Sequence, residues 1–472
     1  MSGFFGTISK RECVADVFYG TDYHSHLGTK RAGMAFYNGK AFVRSIHSLE
    51  NGYFRNKFED ELGKFAGSHS GIGIISDTDS QPITIHSHLG VYSVVTVGRI
   101  YNLDELSKEL ISKKVNFAEL SGSGINPTEL VATLINSADS FKEGIEVVQQ
   151  KVKGSCSFLI LTKDGIYAAR DKWGRTPIIL GHDADGYVMA TESTAFLNLG
   201  YEYVRDLGPS EAVFVTPEKI EQVVAPIKRK QVCSFMWVYY GYPSSWYEGV
   251  NVDDSRCRSG AALARRDEDD LGDFVAGIPD SGIGHAIGYS SEKKIPYRRA
   301  FVKYTPTWPR SFMPQNQSMR DLVAKMKLLP NEKFTRGSRV IFLDDSIVRG
   351  TQLKDNVVKL VEAGVKETHI RIACPPLIYP CQFLNFSTSR SNFDLISRRV
   401  IRDIEGTDNL TDELLKPYSD HTTEQYARLV ENMRKILGVD SLKFQHLDDL
   451  VEAIGLPKED LCTHCWDNSS YM

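Results

Sequence analysis

The sequence predicts a protein of two domains, one of α+β class and one of α/β class with a parallel sheet. Three observations support this fold class. The 472 residues exceed the usual length of one domain. Residues 1–230 contain many short apolar runs bounded by Gly, Asp and Pro, which are typical of strands. Within residues 231–472, strands alternate with helices from about residue 270, which is typical of parallel strands joined by crossover helices.

The first domain is predicted to be a layered α+β structure. Helical patterns at Asn102–Ser112 and Pro127–Ser137 interrupt a series of apolar or alternating runs. These runs are SGIGIIS (70–76), VYSVVTVG (91–98), SFLILT (157–162), GIYAAR (165–170), PIILG (177–181), YVMAT (187–191) and AVFVTP (212–217).

The second domain is predicted to contain a parallel sheet. Its expected strands are DFVAGIP (273–279), YRRAFV (297–302), VIFL (340–343) and THIRIAC (368–374). A short helix is expected over Gly282–Tyr289, and a longer one after VIFL carries Leu353, Val357, Leu360 and Val361 on one face and ends near Gly364. The charge-mixed stretch Arg398–Gln425 reads as an exposed insertion before a helix at Thr422–Leu437.

Composition argues against several classes of protein. A net charge of -4 gives no indication of a nucleic-acid or membrane-surface partner. No apolar run is long enough to span a bilayer, and the start, MSGFFGTISK, lacks a signal-peptide pattern, so we expect a cytoplasmic protein. Eight cysteines in this length do not form a disulfide scaffold, and clustered ones would indicate metal or redox chemistry.

The stretch VIFLDDSIVRGT (340–351) predicts a ligand site at the end of a strand. Open parallel sheets bind ligands beyond the carboxyl ends of their strands, where Asp344 and Asp345 are expected. The small and polar residues that follow lead into a helix whose N-terminus favours an anion, and Gly350 permits close approach of the backbone. The two carboxylates suit sugar hydroxyls or Mg²⁺. A ligand with a phosphate at one end and a hydroxylated ring at the other fits both halves, whereas a solvated, capped turn explains the combination poorly.

LDDSIVRGT closely resembles the phosphoribosylpyrophosphate (PRPP) loop of type I phosphoribosyltransferases. The whole chain resembles the glutamine PRPP amidotransferase family of purine biosynthesis. The matching segments are GSCSFLILTKDGIYAARDKWGRTPIILG (154–181), ATESTAF (190–196), GIPDSG (277–282), KIPY (294–297), RSFMPQNQSMR (310–320), VAKMKL (323–328), CPPLIYPC (374–381) and CTHCW (462–466). The resemblance implies an Ntn-hydrolase-like αββα glutaminase-type domain at 1–230 and a phosphoribosyltransferase domain with a C-terminal cysteine segment at 231–472.

The resemblance also implies roles for individual residues. The paired acids Asp344 and Asp345 would bind the ribose hydroxyls and Mg²⁺. PRPP contacts are further implied for Ser281, Ser346, Arg349, Gly350 and Thr351. Arg310 matches a catalytic arginine in a loop that closes over PRPP. This chain departs from the family at Gln352, at Gly282 in place of a pyrophosphate-side serine, and in the segment YTPTWP (304–309).

Four cysteines match the ligands of a [4Fe–4S] cluster found in one branch of the family. They are Cys233, Cys381, Cys462 and Cys465. A cysteine tetrad suits such a cluster, and zinc is the alternative because four thiolates also bind it. Cys13, Cys156, Cys257 and Cys374 are expected to be small buried residues.

The residues that handle glutamine in the family are absent from this chain. Ser2 stands at the position of the nucleophilic cysteine, and Ser76 replaces the arginine that binds the substrate carboxylate. The oxyanion motif His-Asn-Gly aligns with Thr96, Val97 and Gly98, and Pro127 replaces the aspartate that binds the substrate amine. The resemblance therefore implies a degenerate glutaminase site on a retained fold.

These observations predict a PRPP-dependent transferase that forms 5-phosphoribosylamine and pyrophosphate with ammonia rather than glutamine. The alternatives are a non-catalytic regulator that senses PRPP or nucleotides, a glutamine-dependent enzyme that uses Ser2, and an iron–sulfur or zinc scaffold protein. The family further suggests a homotetramer and inhibition by purine nucleotides.

Overall fold

The computed structural model describes residues 2–50, 52–121, 124–268, 272–304, 328–384 and 391–471. Within these ranges, none of the helices has the length and apolar character needed to cross a membrane. Arg310 lies outside the described residues, as do residues 305–309 of the YTPTWP segment.

The N-terminal domain consists of two antiparallel sheets packed face to face. The sheet of seven strands contains, in spatial order, Glu202–Asp206, Ile179–His182, Gly186–Ala190, Gly3–Ser9, Ser70–Ser76, Arg31–Tyr37 and Phe42–Ser48. The sheet of six contains Ile220–Val224, Ala212–Val215, Ile166–Ala169, Gly154–Leu161, Gly90–Ile100 and Ile83–Ser87. Alternate apolar side chains such as Phe4, Ile72, Val95 and Leu159 fill the space between the sheets.

Helices cover the outer faces of both sheets. Val14–Asp22 and Phe54–Phe58 pack on the first sheet through a cluster that includes Phe18 and Ile75. The second sheet is covered by Leu103–Ser112, Pro127–Ile135 and Phe141–Lys151. The shorter helices of this half are Glu59–Phe65 and Phe196–Leu199, and Leu120–Ser121 pairs with Gly124–Ile125. The αββα layering predicted from the resemblance is therefore confirmed.

The C-terminal domain contains a four-stranded parallel sheet. Its strands lie in the spatial order Phe274–Gly277, Arg339–Asp344, Glu367–Ile372 and Ser441–Phe444. Val275 and Ile341 face the helices Val252–Arg266 and Ile283–Lys293 on one side. The opposite face, which includes Phe342, packs against Thr351–Glu362 and the segments that follow it. The predicted parallel sheet is confirmed, and helices cover both of its faces.

The remaining elements surround this sheet. The helices are Met236–Tyr240, Glu332–Thr335, Asn392–Asp394, Ile396–Glu405, Asp412–Leu415, Lys416–Ser419, Glu424–Leu437, Leu447–Ile454, Lys458–Asp460 and His464–Asp467. The short strand pairs are Val232–Cys233 with Leu461–Cys462, Trp246–Tyr247 with Val250–Asn251, and Phe301–Lys303 with Leu328–Pro330.

Two sequence-based expectations for this domain need correction. YRRAFV joins the parallel sheet only at Tyr297, which makes one parallel bridge to Val275, whereas Phe301–Lys303 pairs antiparallel with Leu328–Pro330. The stretch Arg398–Gln425 is not simply an exposed insertion, because helix Ile396–Glu405 buries Val400 and Ile401 and Tyr418 is also buried. Apolar residues at helical spacing within a charged stretch were sufficient to build part of the core.

Candidate active site

The predicted PRPP loop lies between the central strand Arg339–Asp344 and helix Thr351–Glu362. The strand is buried because it has a parallel neighbour on each side and its apolar residues pack on both faces. It ends at Asp344, and the chain then turns into the helix through residues 345–350. This places the two acids at the carboxyl edge of the sheet, where open parallel sheets bind ligands.

Asp344 and Asp345 form a closely packed acidic pair. Asp344 Oδ1 accepts hydrogen bonds from the Asp345 backbone N–H at 3.0 Å and from Ser281 Oγ at 2.9 Å. Burial, together with the charge of Asp345, raises the pKa of Asp344 well above its ordinary range, and burial also raises the pKa of Asp345. Two carboxylates that resist ionisation in this way are suited to a cation or hydroxyl donors, which would favour their charged forms.

The turn after the acids presents the start of a helix. Gly350 adopts a φ of +77° and is the N-cap of helix Thr351–Glu362. The left-handed conformation favours glycine, and a Cβ atom at this position would lie 2.6 Å from Ile396 Cδ1 and displace that side chain. Ser346 Oγ donates to Asp345 Oδ2 at 2.5 Å. The exposed Arg349 side chain lies 3.4 Å from Asp394 Oδ2 and leaves a cation beside the helix start.

The segment GIPDSG approaches the acids from the neighbouring strand. Gly282 is the N-cap of helix Ile283–Lys293, and a Cβ atom there would lie only 2.1 Å from the Leu343 carbonyl oxygen. The departure from the family serine at Gly282 is therefore accompanied by close packing of this helix start against the central strand. Ser281, the adjacent residue, supplies the hydroxyl that contacts Asp344.

Two cations near this edge were not singled out from the sequence. Arg256, on helix Val252–Arg266, is buried, and its charge offsets a small part of the rise that burial causes in the pKa of Asp345. Lys303 Nζ pairs with Asp280 Oδ2 at 2.5 Å. Neither lies in the loop motif, so no local pattern could identify them, and only the packing of separate elements brings them to the site.

The four predicted cluster cysteines converge at the junction between the domains. Cys233 and Cys462 are opposite each other in the parallel pair of strands Val232–Cys233 and Leu461–Cys462. A hydrogen bond from the Cys465 thiol lowers the pKa of Cys381, and Leu384 N–H also donates to Cys381 Sγ at 3.3 Å. All four thiols interact electrostatically. Across the described part of the chain, no three His, Cys, Asp or Glu side chains form a group able to hold a single metal ion.

The other four cysteines are separate from this centre. Cys13, Cys156 and Cys374 are buried, as expected, whereas Cys257 is only partly buried.

Two of the six positions aligned with glutamine-handling residues line a small cavity beside the N-terminus. Ser2 and Val97 belong to its lining, together with Leu27, Thr176, Pro177, Thr191, Glu192, Met236 and Tyr247. Its volume is about 10 Å³, close to the space for one water molecule. Met236 and Tyr247 come from the second half of the chain, so the cavity lies between the domains.

Ser76 contacts Ser2 directly. The Ser2 and Ser76 Oγ atoms are 3.2 Å apart, and both residues are buried. Ser76 Oγ also accepts hydrogen bonds from the backbone N–H groups of Thr78 at 3.2 Å and Asp79 at 3.3 Å. The hydroxyl at the family arginine position thus stabilises a local turn and provides no cation for a carboxylate.

The remaining positions have structural contacts. Gly98 pairs with Cys156 inside the second sheet. Pro127 is the first residue of helix Pro127–Ile135, whose N-cap Asn126 accepts from Thr128 N–H at 2.9 Å. Proline fits this position because a first-turn N–H has no partner within the helix.

Comparison with known proteins identifies the family of the chain. Residues 69–198 match the glutamine amidotransferase domain family. An amidophosphoribosyltransferase of Methanocaldococcus jannaschii is 31% identical over 98% of this chain and 96% of its own length. One from Archaeoglobus fulgidus is 32% identical over 91% and 88%, respectively. The solved structure of the Bacillus subtilis PRPP amidotransferase, complexed with ADP and GMP, superposes with a TM-score of 0.84 at 28% identity, covering 99% of this chain and 96% of that one. The chain therefore belongs to the amidophosphoribosyltransferase family of phosphoribosyl-transferring enzymes.

Proposed function

We propose that this protein transfers the phosphoribosyl group of PRPP to ammonia and does not use glutamine. In this reaction the bond from C1 of the ribose to pyrophosphate breaks and a C1–N bond forms. The products are 5-phosphoribosylamine, pyrophosphate and a proton. The family's place in purine biosynthesis agrees with this product.

The observation that carries this proposal is the lining of the cavity at Ser2. Among the residues that the structure describes, it contains Ser2 and Val97 but no arginine that could pair with the carboxylate of glutamine. Ser76 occupies the position of the carboxylate-binding arginine, and its hydroxyl is engaged with Ser2 and the turn at residues 78–79. The Val97 side chain, which has no hydrogen-bond donor, lies in the same wall. Each of these features removes an interaction that glutamine hydrolysis requires.

The loop at residues 344–351 supports the PRPP half of the proposal. Asp344 and Asp345 would hold the ribose hydroxyls and Mg²⁺, which fits their raised pKa values, because a cation favours the ionised form of buried carboxylates. Mg²⁺ would neutralise charge on the pyrophosphate leaving group. The start of helix Thr351–Glu362, with Ser346, Arg349, Gly350 and Thr351, would bind the 5′-phosphate. Ser281 would orient Asp344 and contact the pyrophosphate side. Arg310, which lies outside the described residues, is proposed as the catalytic arginine of the closing loop.

The convergence of Cys233, Cys381, Cys462 and Cys465 supports a metal group at the domain junction. A [4Fe–4S] cluster is our proposal, and zinc is the alternative. In a cluster each thiolate binds a different iron atom, whereas zinc requires all four to meet at one ion. Iron, sulfide and zinc analysis of anaerobically purified protein distinguishes the two.

The proposal is tested by measuring pyrophosphate release from PRPP and Mg²⁺ with either ammonium or glutamine. We expect turnover with ammonium and none above background with glutamine. Asp345→Asn is the inactive control for the PRPP site. Efficient turnover with glutamine would overturn the assignment of the N-terminal domain, and a failure to bind PRPP would overturn the whole proposal.

Two properties of the relatives extend to this chain as proposals. Purine nucleotides are proposed to inhibit the transferase, since the Bacillus subtilis relative was solved with ADP and GMP. A homotetramer is proposed as its assembly. Inhibition of ammonium-dependent turnover by nucleotides, and the mass of the protein in solution, test these two statements.

A further inference from the structure

Two arginines of the N-terminal domain reach the four-cysteine centre. Arg175 follows strand Ile166–Ala169 and is completely buried. Arg99 lies near the end of strand Gly90–Ile100, and its side chain is exposed. Both are in the domain whose glutamine-handling residues are absent, so their contacts with the centre bear on why that domain is retained.

Arg175 joins the N-terminal domain to the cysteine segment. Its Nη1 donates to the Gly154 carbonyl oxygen at 3.2 Å within its own domain. Its Nη2 donates across the junction to Gln231 Oε1 at 3.1 Å and to the Tyr471 carbonyl oxygen. The guanidinium carbon lies 3.8 Å from the ring centroid of Phe383.

The same residue also lies against the centre. Its carbonyl oxygen accepts a hydrogen bond from the Cys233 backbone N–H at 3.3 Å. Its Nε is buried and has no hydrogen-bond partner among the residues that the structure describes. Burying a hydrogen-bond donor of a charged group without an acceptor costs free energy. An anionic group bound at the cysteines would provide that acceptor.

Arg99 makes a second connection. Its backbone N–H donates to the Phe383 carbonyl oxygen at 3.1 Å, and its Nη1 donates to the Cys381 carbonyl oxygen at 3.0 Å. Strand Gly90–Ile100 therefore carries both Val97, at the altered oxyanion position, and Arg99, which contacts the cysteine centre. Arg99 and Arg175 thus contact two different predicted ligand cysteines, Cys381 and Cys233.

The two arginines can compensate the negative charge of a metal–thiolate group. Four thiolates around either a [4Fe–4S]²⁺ cluster or Zn²⁺ carry a net negative charge, and burying an anion costs free energy unless cations or hydrogen-bond donors compensate it. Hydrogen bonds and charges near the sulfur atoms are also among the factors that set cluster potentials.

We propose that Arg175 and Arg99 are positioning residues through which the N-terminal domain neutralises and retains the metal–thiolate group at Cys233, Cys381, Cys462 and Cys465. This inference rests on the metal group proposed above. It gives the N-terminal domain a function that does not involve glutamine: the domain completes the environment of the metal centre.

The test compares Arg175→Met with Arg175→Lys in the full-length protein purified anaerobically. Metal loss to a chelator is followed by visible absorbance and metal analysis, and the reduction potential is measured for a cluster. We expect Arg175→Met to lose metal about tenfold faster or more, the effect of losing one charge-assisted hydrogen bond, and to shift a cluster potential to more negative values. The lysine variant should recover part of both changes. Arg55→Met is the matched control, because Arg55 is an exposed arginine of the same domain that pairs with Asp22 at 2.6 Å.

Parent-like metal loss and potential in folded Arg175→Met would overturn the inference, as would equal behaviour of the methionine and lysine variants. If Arg175→Met does not fold, Arg99→Met replaces it: several-fold faster metal loss is expected, and a parent-like rate would overturn the inference. A parent protein without iron or zinc would overturn the inference together with the proposed metal group. Absence of pyrophosphate release from metal-loaded protein would overturn only the proposed transferase reaction.

Discussion

Replacing Gly350 by alanine should weaken both the fold and PRPP binding. Gly350 has a φ of +77°, and a new methyl group would lie 2.6 Å from Ile396 Cδ1. The left-handed conformation costs roughly 1–2 kcal/mol for a residue with a side chain, and displacing Ile396 from its rotamer adds roughly 0.5–1.5 kcal/mol. We therefore expect a loss of about 1.5–3.5 kcal/mol in the free energy of unfolding, measured by denaturant titration.

The effect on PRPP has a separate physical cause. A shift of the turn misaligns backbone donors at the start of helix Thr351–Glu362, and one charge-assisted hydrogen bond contributes about 1.5–3 kcal/mol. We expect the KM for PRPP in ammonium-dependent pyrophosphate release to rise about 10- to 100-fold. Gly406→Ala is the matched control: Gly406 has a φ of +67° at the end of helix Ile396–Glu405, and a Cβ atom there meets nothing within 4 Å. Equal PRPP affinities for the two variants would refute the assignment of the phosphate-binding turn.

Three further predictions concern other parts of the molecule. Asp345→Asn should abolish Mg²⁺-dependent PRPP binding in calorimetry while leaving the far-UV circular dichroism unchanged; retained binding would contradict the role of the acidic pair. Asp267→Asn should destabilise the protein by about 3–5 kcal/mol in denaturant titration, because it leaves Arg371 as a buried, uncompensated charge. Although burial opposes ionisation, Arg371 and two further donors lower the pKa of Asp267 to about 2. The contribution of ionised Asp267 to stability should therefore be present above about pH 4 and be lost as the pH falls toward 2. The same acid sensitivity in Asp267→Asn would contradict this. Ser2→Ala should leave ammonium-dependent pyrophosphate release unchanged, and a large loss would indicate that Ser2 takes part in catalysis.

Local pattern was sufficient for much of the fold. The run SGIGIIS became the strand Ser70–Ser76 with no change of boundary, and the helix pattern after VIFL became Thr351–Glu362 with Gly364 just beyond its end at a φ of +83°. Both signals depend on nearby residues alone, through alternation or helical spacing and glycine at a helix end. The stretch Arg398–Gln425 was misread because charged residues obscured the spacing of Val400 and Ile401, which pack in the core.

The sequence by itself indicated the two fold classes and predicted both a PRPP loop and a glutaminase site without its glutamine-handling residues, because each depends on the chemistry of a few contiguous residues. Only the tertiary structure decided which distant groups meet. It brought Ser281 to Asp344, Ser2 to Ser76, and Arg175 to Cys233 of the cysteine centre through contacts between residues far apart in the chain. Such contacts follow from the packing of whole elements, which no local pattern encodes. They add a second role to the interpretation of the N-terminal domain, which we propose encloses the metal centre at the junction.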